Sequence, residues 1–142
     1  MKLRIGVKSD PVEYRYSYEW LFSLLQNEGV EFLQLGSSFE FYLVDDRYFI
    51  ALRELAEDHG VSIRSCFTAH RELGGAFTGD PYLEEVARRA YARYVEIGAL
   101  LGADYVGSNP GAVYRDRMHT KEQGTECYLN HMKEMMGFAK SK

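Results

Sequence analysis

A glycine stands between a helical pattern and a short apolar run at three places in this chain, and this feature constrains the fold most strongly. The three places read GVEF from Gly29, GVSI from Gly60 and GADY from Gly102. A glycine directly after a helix takes the left-handed conformation that residues with a Cβ resist, and the helix ends there. The repeated order therefore predicts helices that turn at once into strands.

Apolar residues at helical spacing precede each of these glycines. The third helix has the longest pattern, with Asp80 as its N-cap and Pro81 as its first helical residue. A fourth helix is predicted to begin near Thr120, because Thr120 to Gln123 fits the spacing of a capping box. Its apolar side is predicted to consist of Tyr128, Met132, Met135, Met136 and Ala139.

Four short apolar runs alternate with these helices and are predicted to be strands. They are Leu3–Val7, Phe32–Leu35, Ile63–Phe67 and Tyr105–Ser108. Runs that are apolar at successive positions are typical of parallel strands buried on both faces. The fold class is therefore α/β, with four consecutive parallel βα units joined by right-handed crossovers.

The length of 142 residues fits one domain, residues 1–142, and the composition is that of a globular protein, with 46% hydrophobic and 27% charged residues. By the repeat, a glycine and a fifth strand should follow the last helix. We therefore expect the chain to be a segment of a longer protein; the alternative is a complete domain of four units.

Charge and composition exclude several classes of function. The net charge of -4 argues against a nucleic-acid partner, which requires a concentrated basic surface. No run approaches the roughly 18 apolar residues of a membrane span, so no membrane partner is expected. Cys66 and Cys127 are expected to be free thiols in a reducing compartment, which predicts a cytoplasmic location. Zinc-binding, Rossmann and P-loop motifs are not found in the sequence.

Ligands of parallel α/β proteins bind beyond the carboxyl ends of the strands, so the loops that follow the four strands are the places where a site is expected. These loops are longer than the turns at the opposite ends of the strands, which also marks this edge as functional. They are Lys8–Tyr16, Gly36–Asp46, Thr68–Gly79 and Asn109–His119.

Six residues in these loops are candidates for substrate binding, and no catalytic residue or metal ligand is assigned. The six are Lys8, His70, Asn109, Arg115, Arg117 and His119. Cations and hydrogen-bond donors of this kind suit a phosphate, a carboxylate or a hydroxyl-rich ligand. The alternatives are a solvated Lys8, a His70 bonded to a carbonyl, and loop arginines that pair with Asp116 and Glu122.

Two other histidines are given structural interpretations. His59 precedes the glycine that ends the second helix, where a cation interacts favourably with the helix dipole. His131 lies inside the fourth helix and is predicted to be on the surface.

The run EIGALLGADYVGSNPG, with the helix before it, resembles the fourth βα unit of the xylose isomerase-like TIM barrels, which include sugar isomerases, epimerases and endonuclease IV relatives. GVEFLQLGSS resembles their second strand and GVSIRSCFTAH their third. The similarity spans the whole chain, but only the first half of such a barrel, which takes about 250 residues. The fold implied by the resemblance is half of a (β/α)8 barrel.

The resemblance implies an enzyme that binds a divalent metal such as Mn²⁺ or Mg²⁺ and moves a proton next to the carbonyl of a ketose. In the family, glutamates, an aspartate and a histidine from the later strands bind the metal, and none of these maps onto this chain. Asn109 stands where endonuclease IV-like members have a metal-binding histidine, which counts against a DNA-repair function. Gln34 stands where the family often has a glutamate.

The fourth loop, GAVYRDRMHT, resembles that of a subgroup linked to phosphorylated short ketoses such as tetrulose phosphates. The expected partner is therefore a small-molecule sugar or sugar phosphate. The alternative is a non-catalytic module, either a flavodoxin-like domain or a half-barrel that pairs with its own copy through the exposed inner face of its sheet. Strand order separates the two folds, since a half-barrel has the order 1-2-3-4 and a doubly wound sheet the order 2-1-3-4.

Overall fold

The computed structural model describes residues 4–13, 15–36, 43–69, 71–109, 116 and 121–142. Strands and helices alternate along the chain. The strands are β1 (Gly6–Lys8), β2 (Phe32–Leu35), β3 (Ser62–Thr68) and β4 (Tyr105–Ser108). The α-helices are α1 (Tyr18–Asn27), α2 (Asp46–Asp58), α3 (Pro81–Leu100) and α4 (Lys121–Ala139), and a 3₁₀ helix spans Arg71–Phe77.

The four strands form one parallel sheet in the order β1-β2-β3-β4. This sequential order is that of half of a (β/α)8 barrel, as the resemblance implied, and it rules out the doubly wound flavodoxin-like alternative. The register pairs Gly6 with Phe32 and Leu33 with Ile63, and an irregularity in β3 follows, after which Gln34 pairs with Ser65.

The predicted glycine caps are confirmed. Gly29, Gly60 and Gly102 have φ values of 67°, 68° and 72°, and each lies in the short turn between a helix and the next strand. An alanine at any of the three positions would have to adopt the left-handed backbone conformation, which is unfavourable for residues with a Cβ. The short turns, residues 28–31, 59–61 and 101–104, all lie at the amino ends of the strands.

Two predictions about the strands are wrong. β1 begins at Gly6 rather than Leu3, because its pairing with β2 begins opposite Phe32 and leaves Arg4 and Ile5 without a strand partner in that pairing. The strands are not buried on both faces either. Leu33 and Leu35 of β2 are buried, whereas Phe32 and Gln34, which alternate with them, are partly exposed, and all three residues of β1 are exposed.

The chain divides into two compact units. The first consists of Met1–Thr68 and Ile97–Gly107 and contains nearly the whole sheet with α1 and α2. Its buried residues include Phe22 of α1 and Phe49 of α2, together with one face of β2 and β3. That face presents Leu33, Leu35, Ile63, Cys66 and Thr68. Cys66 is a free thiol, as predicted, and burial raises its pKa to about 12.

The second unit consists of Ala69–Glu96 and Ser108–Lys142. Asp80 caps α3 as predicted, since its Oδ1 accepts from the backbone N–H of Tyr82 at 3.0 Å. Ala76 and Phe77 of the 3₁₀ helix pack with Ala87 of α3, and Tyr128 of α4 covers this cluster. The predicted capping residue Thr120 lies outside the described residues.

The buried face of α4 differs from the predicted one. His131 and Met135 are its buried residues, whereas Met136, which the pattern assigned to the apolar side, is 56% exposed. The prediction that His131 is on the surface is therefore wrong. Its ring lies edge-on to Tyr91 of α3, with 5.4 Å between the ring centroids, so the imidazole takes the place of an apolar side chain between the two helices.

Candidate functional site

Lys8 lies at the carboxyl end of β1, where the sequence placed a ligand contact. Its Nζ is 2.5 Å from Oδ2 of Asp10 and 4.9 Å above the centroid of the Phe67 ring in β3. The ammonium group therefore has a carboxylate on one side and an aromatic face on the other. The Lys8 side chain is also 41% exposed, so the alternative of a solvated lysine at the strand end stays open.

A group of polar side chains beside Lys8 joins the ends of β1 and β2. The buried Ser9 donates its hydroxyl proton to Oε1 of Glu13. The backbone N–H of Gly36, the first residue after β2, donates to Oγ of Ser9 at 2.7 Å and to Oε1 of Glu13 at 3.1 Å. We call Lys8, Ser9, Asp10, Glu13 and Gly36 the carboxyl-edge cluster.

Gly36 is required by the close approach of these groups. A Cβ at this position would overlap the carboxylate of Asp10 and would lie 2.9 Å from Oε1 of Glu13. The glycine therefore allows two carboxylates to lie against the end of β2, where that of Glu13 shares the backbone N–H of Gly36 with the hydroxyl of Ser9.

The two carboxylates differ from freely solvated ones. Burial raises the pKa of Glu13 above its usual value and the charge of Asp10 raises it further, whereas hydrogen bonds from Ser9, Gly36 and Tyr18 lower it. Oδ1 of Asp10 and Oε2 of Glu13 are buried and have no hydrogen-bond partner within the described part of the chain. These two buried oxygens carry a desolvation cost that no hydrogen bond within the described residues offsets. The accessible part of the cluster is the pair of Lys8 and Asp10, whose side chains are 41% and 42% exposed.

Asn109 directly follows β4, as predicted. It belongs to the second unit and is exposed. Its backbone oxygen accepts from Oγ of Ser108 at 3.1 Å. Asn109 also lines a small cavity together with the buried His131 of α4. The structure thus brings Asn109 together with a histidine that sequence reasoning had set aside.

Only Lys8 and Asn109 of the six predicted binding residues can be placed. His70, Arg115, Arg117 and His119 lie outside the described residues. Glu13 and Gly36 were not predicted from the sequence. The one signal that points to Glu13 is its spacing from Ser9, four residues along a short loop that follows a strand; nothing in the sequence pairs it with Gly36.

The double glycine after the third strand has a packing role. The hypothetical Cβ of Gly75 would lie 2.6 Å from the backbone oxygen of Leu83 in α3 and 3.3 Å from Cβ of Ala87. The 3₁₀ helix therefore approaches α3 at a distance that only glycine permits.

His59 has a local structural role, since it caps α2 and its Nδ1 lies 2.8 Å from the backbone oxygen of Leu55.

The described residues do not fit the divalent metal that the resemblance implies. No group of three or more His, Cys, Asp or Glu side chains among them is arranged to hold a metal ion. Gln34, which replaces the acid often found in the second strand, donates from Nε2 to Oγ of Ser65 at 3.0 Å.

Among the helices of the described part, none combines the length and hydropathy needed to span a membrane.

Comparisons with known proteins show a fold. No protein-family model matches the sequence, and no curated protein matches it either. D-psicose 3-epimerase with D-tagatose from Clostridium cellulolyticum is a structural match with a TM-score of 0.81 and 14% identity, which covers 98% of this chain and 49% of that one. A candidate xylose isomerase from Rhodospirillum rubrum matches with a TM-score of 0.83 and 18% identity, over 99% of this chain and 51% of that one.

A second D-psicose 3-epimerase structure, determined in the presence of D-fructose, matches with a TM-score of 0.79 and 11% identity. The chain spans about half the length of the structures that it matches. The fold is therefore that of half of a (β/α)8 barrel, as the sequence resemblance implied, and it is similar to half of each of these structures. Identities this low establish the fold alone.

Proposed function

We propose that this chain forms half of the substrate pocket of a metal-dependent sugar or sugar-phosphate isomerase or epimerase. The observation that carries the proposal is the carboxyl-edge cluster, which lies at the end of the strands where barrel enzymes bind their ligands. The named activities of the structural neighbours, sugar epimerisation and isomerisation, support the same class of substrate.

The cluster has the hydrogen-bonding groups that a polyhydroxylated ligand needs. In our proposal Nζ of Lys8 donates to a sugar oxygen, and the carboxylate of Asp10, whose side chain is 42% exposed, accepts from a sugar hydroxyl. Glu13 holds Ser9 and the end of β2 in place behind them. The ring of Phe67 beneath Lys8 gives the same place an apolar surface. These residues bind and orient the sugar in our proposal.

We further propose that the substrate is phosphorylated and short, such as a tetrulose phosphate. Arg115, Arg117 and His119, with His70 and Asn109, supply the donors for the phosphate and for the distal hydroxyls in this proposal. Guanidinium forks suit phosphate oxygens through paired hydrogen bonds. A cytoplasmic location fits two free cysteines.

The metal and the acid–base pair belong to the other half of the barrel in this proposal. A divalent ion such as Mn²⁺ or Mg²⁺ supplies polarisation of the substrate carbonyl when it is bound. Since the described residues do not fit such an ion, we assign them no proton transfer. Their part is to form a wall of the pocket.

Replacement of Glu13 by glutamine tests the binding role of the cluster. The amide keeps the shape of the side chain but loses the charge and one acceptor, so we expect about tenfold weaker binding of a ketotetrose phosphate, equivalent to about 1.4 kcal/mol. Isothermal titration calorimetry on the full 142-residue chain measures this. Glu54→Gln is the matched control, since Glu54 is an exposed carboxylate on α2. Equal affinities of the two variants, or no binding by the unaltered chain, would contradict the proposal.

We expect the purified chain to have no isomerase or epimerase activity by itself. The reason is that its described residues hold no metal-ligand group and the catalytic carboxylates of the family do not map onto its sequence. Assays with ketoses and ketose phosphates in added Mn²⁺ or Mg²⁺ check this. Turnover above the metal-only background would show that catalytic groups are present in this half.

A second candidate function is a half-barrel that pairs with its own copy. β1 and β4 are the outermost strands of the four-stranded sheet, and a closed barrel would pair each of them with a further strand. Large apolar side chains are exposed there: Ile5, just before β1, is 75% exposed, and Tyr105, the first residue of β4, is 71% exposed. Light scattering separates the two candidates. A dimer at micromolar concentration favours self-pairing, and a monomer that binds ketose phosphates favours the pocket half.

A further inference from the structure

His131 presents a buried polar atom that needs a partner. Its side chain is 8% exposed, and its Nε2 has no hydrogen-bond partner among the residues that the structure describes. An unpaired buried polar atom destabilises the folded state, and native proteins satisfy nearly all such atoms with protein groups or ordered water. A polar contact to Nε2 is therefore expected.

A cavity of about 10 Å³ adjoins the imidazole. The 3₁₀ helix and α4 give it apolar walls, which consist of Leu73, Ala76, Phe77 and Met132. Its polar walls come from α3, α4 and the end of β4, and they consist of Tyr91, Ser108, Asn109, Tyr128 and His131 itself. This volume is about the minimum that one water molecule needs, and the polar walls provide the two to four partners that a buried water requires.

We infer that one ordered water occupies this cavity and bridges Nε2 of His131 to Asn109, which makes His131 a positioning residue for Asn109 at the carboxyl end of β4. Asn109 is exposed and also lines the cavity, so this residue has access both to the water and to solvent. The further role of Asn109 as a sugar contact rests on the proposed function.

Water fits the chemistry of the cavity better than other small ligands. A water both donates and accepts, so it satisfies Nε2 in either tautomer of a neutral imidazole. No carboxylate lines the cavity to hold a cation with the one imidazole, and the volume excludes anything larger than a water.

Protonation of His131 should disturb this bridge. The charged groups that act on the ring are Arg88 of α3 and Glu134 of α4, and the lining residues of the 3₁₀ helix and β4 carry no charge. Burial lowers the pKa of His131 below 6.5; Arg88 adds to this effect and Glu134 opposes it. In the proposed bridge the neutral ring carries its proton on Nδ1, and Nε2 accepts from the water. An imidazolium has no acceptor nitrogen, so the water must reorient once the ring is protonated, and the Asn109 amide that it contacts must respond.

Nuclear magnetic resonance on the full chain tests the bridge without any sugar. The side-chain amide signals of Asn109 and the ring signals of His131 are followed from about pH 7.5 to about pH 4.5. We expect the Asn109 amide to shift with the same midpoint as the His131 ring, below 6.5. His131→Gln should abolish this shift, whereas His59→Gln should retain it, since His59 bonds to Leu55 and Ser23 in the other compact unit.

An Asn109 amide that does not follow the His131 midpoint in the unaltered chain overturns the inference, whether or not the variants fold. A shift that persists in His131→Gln also overturns it. The proposed function fails separately. If the two titrations coincide but Asn109→Ala leaves the affinity for a ketose phosphate unchanged, the positioning role stands and the assignment of Asn109 as a sugar contact is wrong.

Discussion

Phe49→Ala should lower the free energy of unfolding of the first unit by about 3–5 kcal/mol. Phe49 of α2 is fully buried, and its ring packs edge-on against Tyr48 with 5.4 Å between centroids. Truncation removes the transfer free energy of the ring and leaves a cavity that the surrounding helix and strands fill only in part.

Urea denaturation followed by the fluorescence of Trp20 measures this loss. Trp20 is the single tryptophan, it belongs to α1 of the same unit, and it stacks on Tyr16 at 4.1 Å. Tyr82→Ala is the control, because Tyr82 is 83% exposed and its loss should change stability by less than about 0.5 kcal/mol. Similar losses for the two variants would mean that Phe49 is not in the core.

Gly75→Ala should destabilise the second unit by about 1–3 kcal/mol. The new Cβ would lie 2.6 Å from the backbone oxygen of Leu83, and a backbone atom in the first turns of α3 cannot move without shifting the helix. The 3₁₀ helix must therefore retreat from α3, which loosens the packing of Ala76 and Phe77 on Ala87.

Gly137→Ala provides the matched control for Gly75→Ala. Gly137 lies in α4 of the same unit, nothing is within 4 Å of its hypothetical Cβ, and alanine should stabilise the helix by about 0.5–1 kcal/mol. Circular dichroism of both variants during thermal unfolding compares them directly. We expect the two substitutions to change the stability in opposite directions, Gly75→Ala lowering it and Gly137→Ala raising it. A Gly75→Ala variant as stable as the unaltered chain would contradict the close packing.

The parts of the fold that depend on local signals were predictable from the sequence. The bounds of β2 and β4 agree with the prediction, because glycines with positive φ fix where the preceding helices end. The start of α3 agrees because Asp80 and Pro81 are strong local signals. The start of β1 does not agree with the prediction. It is set by the first residue that pairs with β2, which is Gly6 opposite Phe32, and the first ten residues of the sequence carry no information about this register.

The candidate site was predictable only as an edge of the sheet. Lys8 and Asn109 were found because they follow strands directly. Glu13 was missed because its contact to Gly36 crosses 23 residues of sequence, and no local pattern records it. His131 stands three residues after Tyr128 and four before Met135, so helical spacing puts it on their face of α4. The prediction was wrong because histidine is a polar residue that is buried less often than the methionines around it.

The central claim is that the carboxyl-edge cluster binds a sugar, and the amide of Gly36 reports on it most directly. This N–H donates to both Ser9 and Glu13, so a ligand that takes either acceptor must change its chemical shift. In a titration of the ¹⁵N-labelled chain with a ketotetrose phosphate, the account predicts that the largest shifts occur at Gly36 and at Lys8 to Asp10. Shifts centred on the turns at residues 28–31 and 59–61, at the opposite edge of the sheet, with Gly36 unmoved, would contradict it.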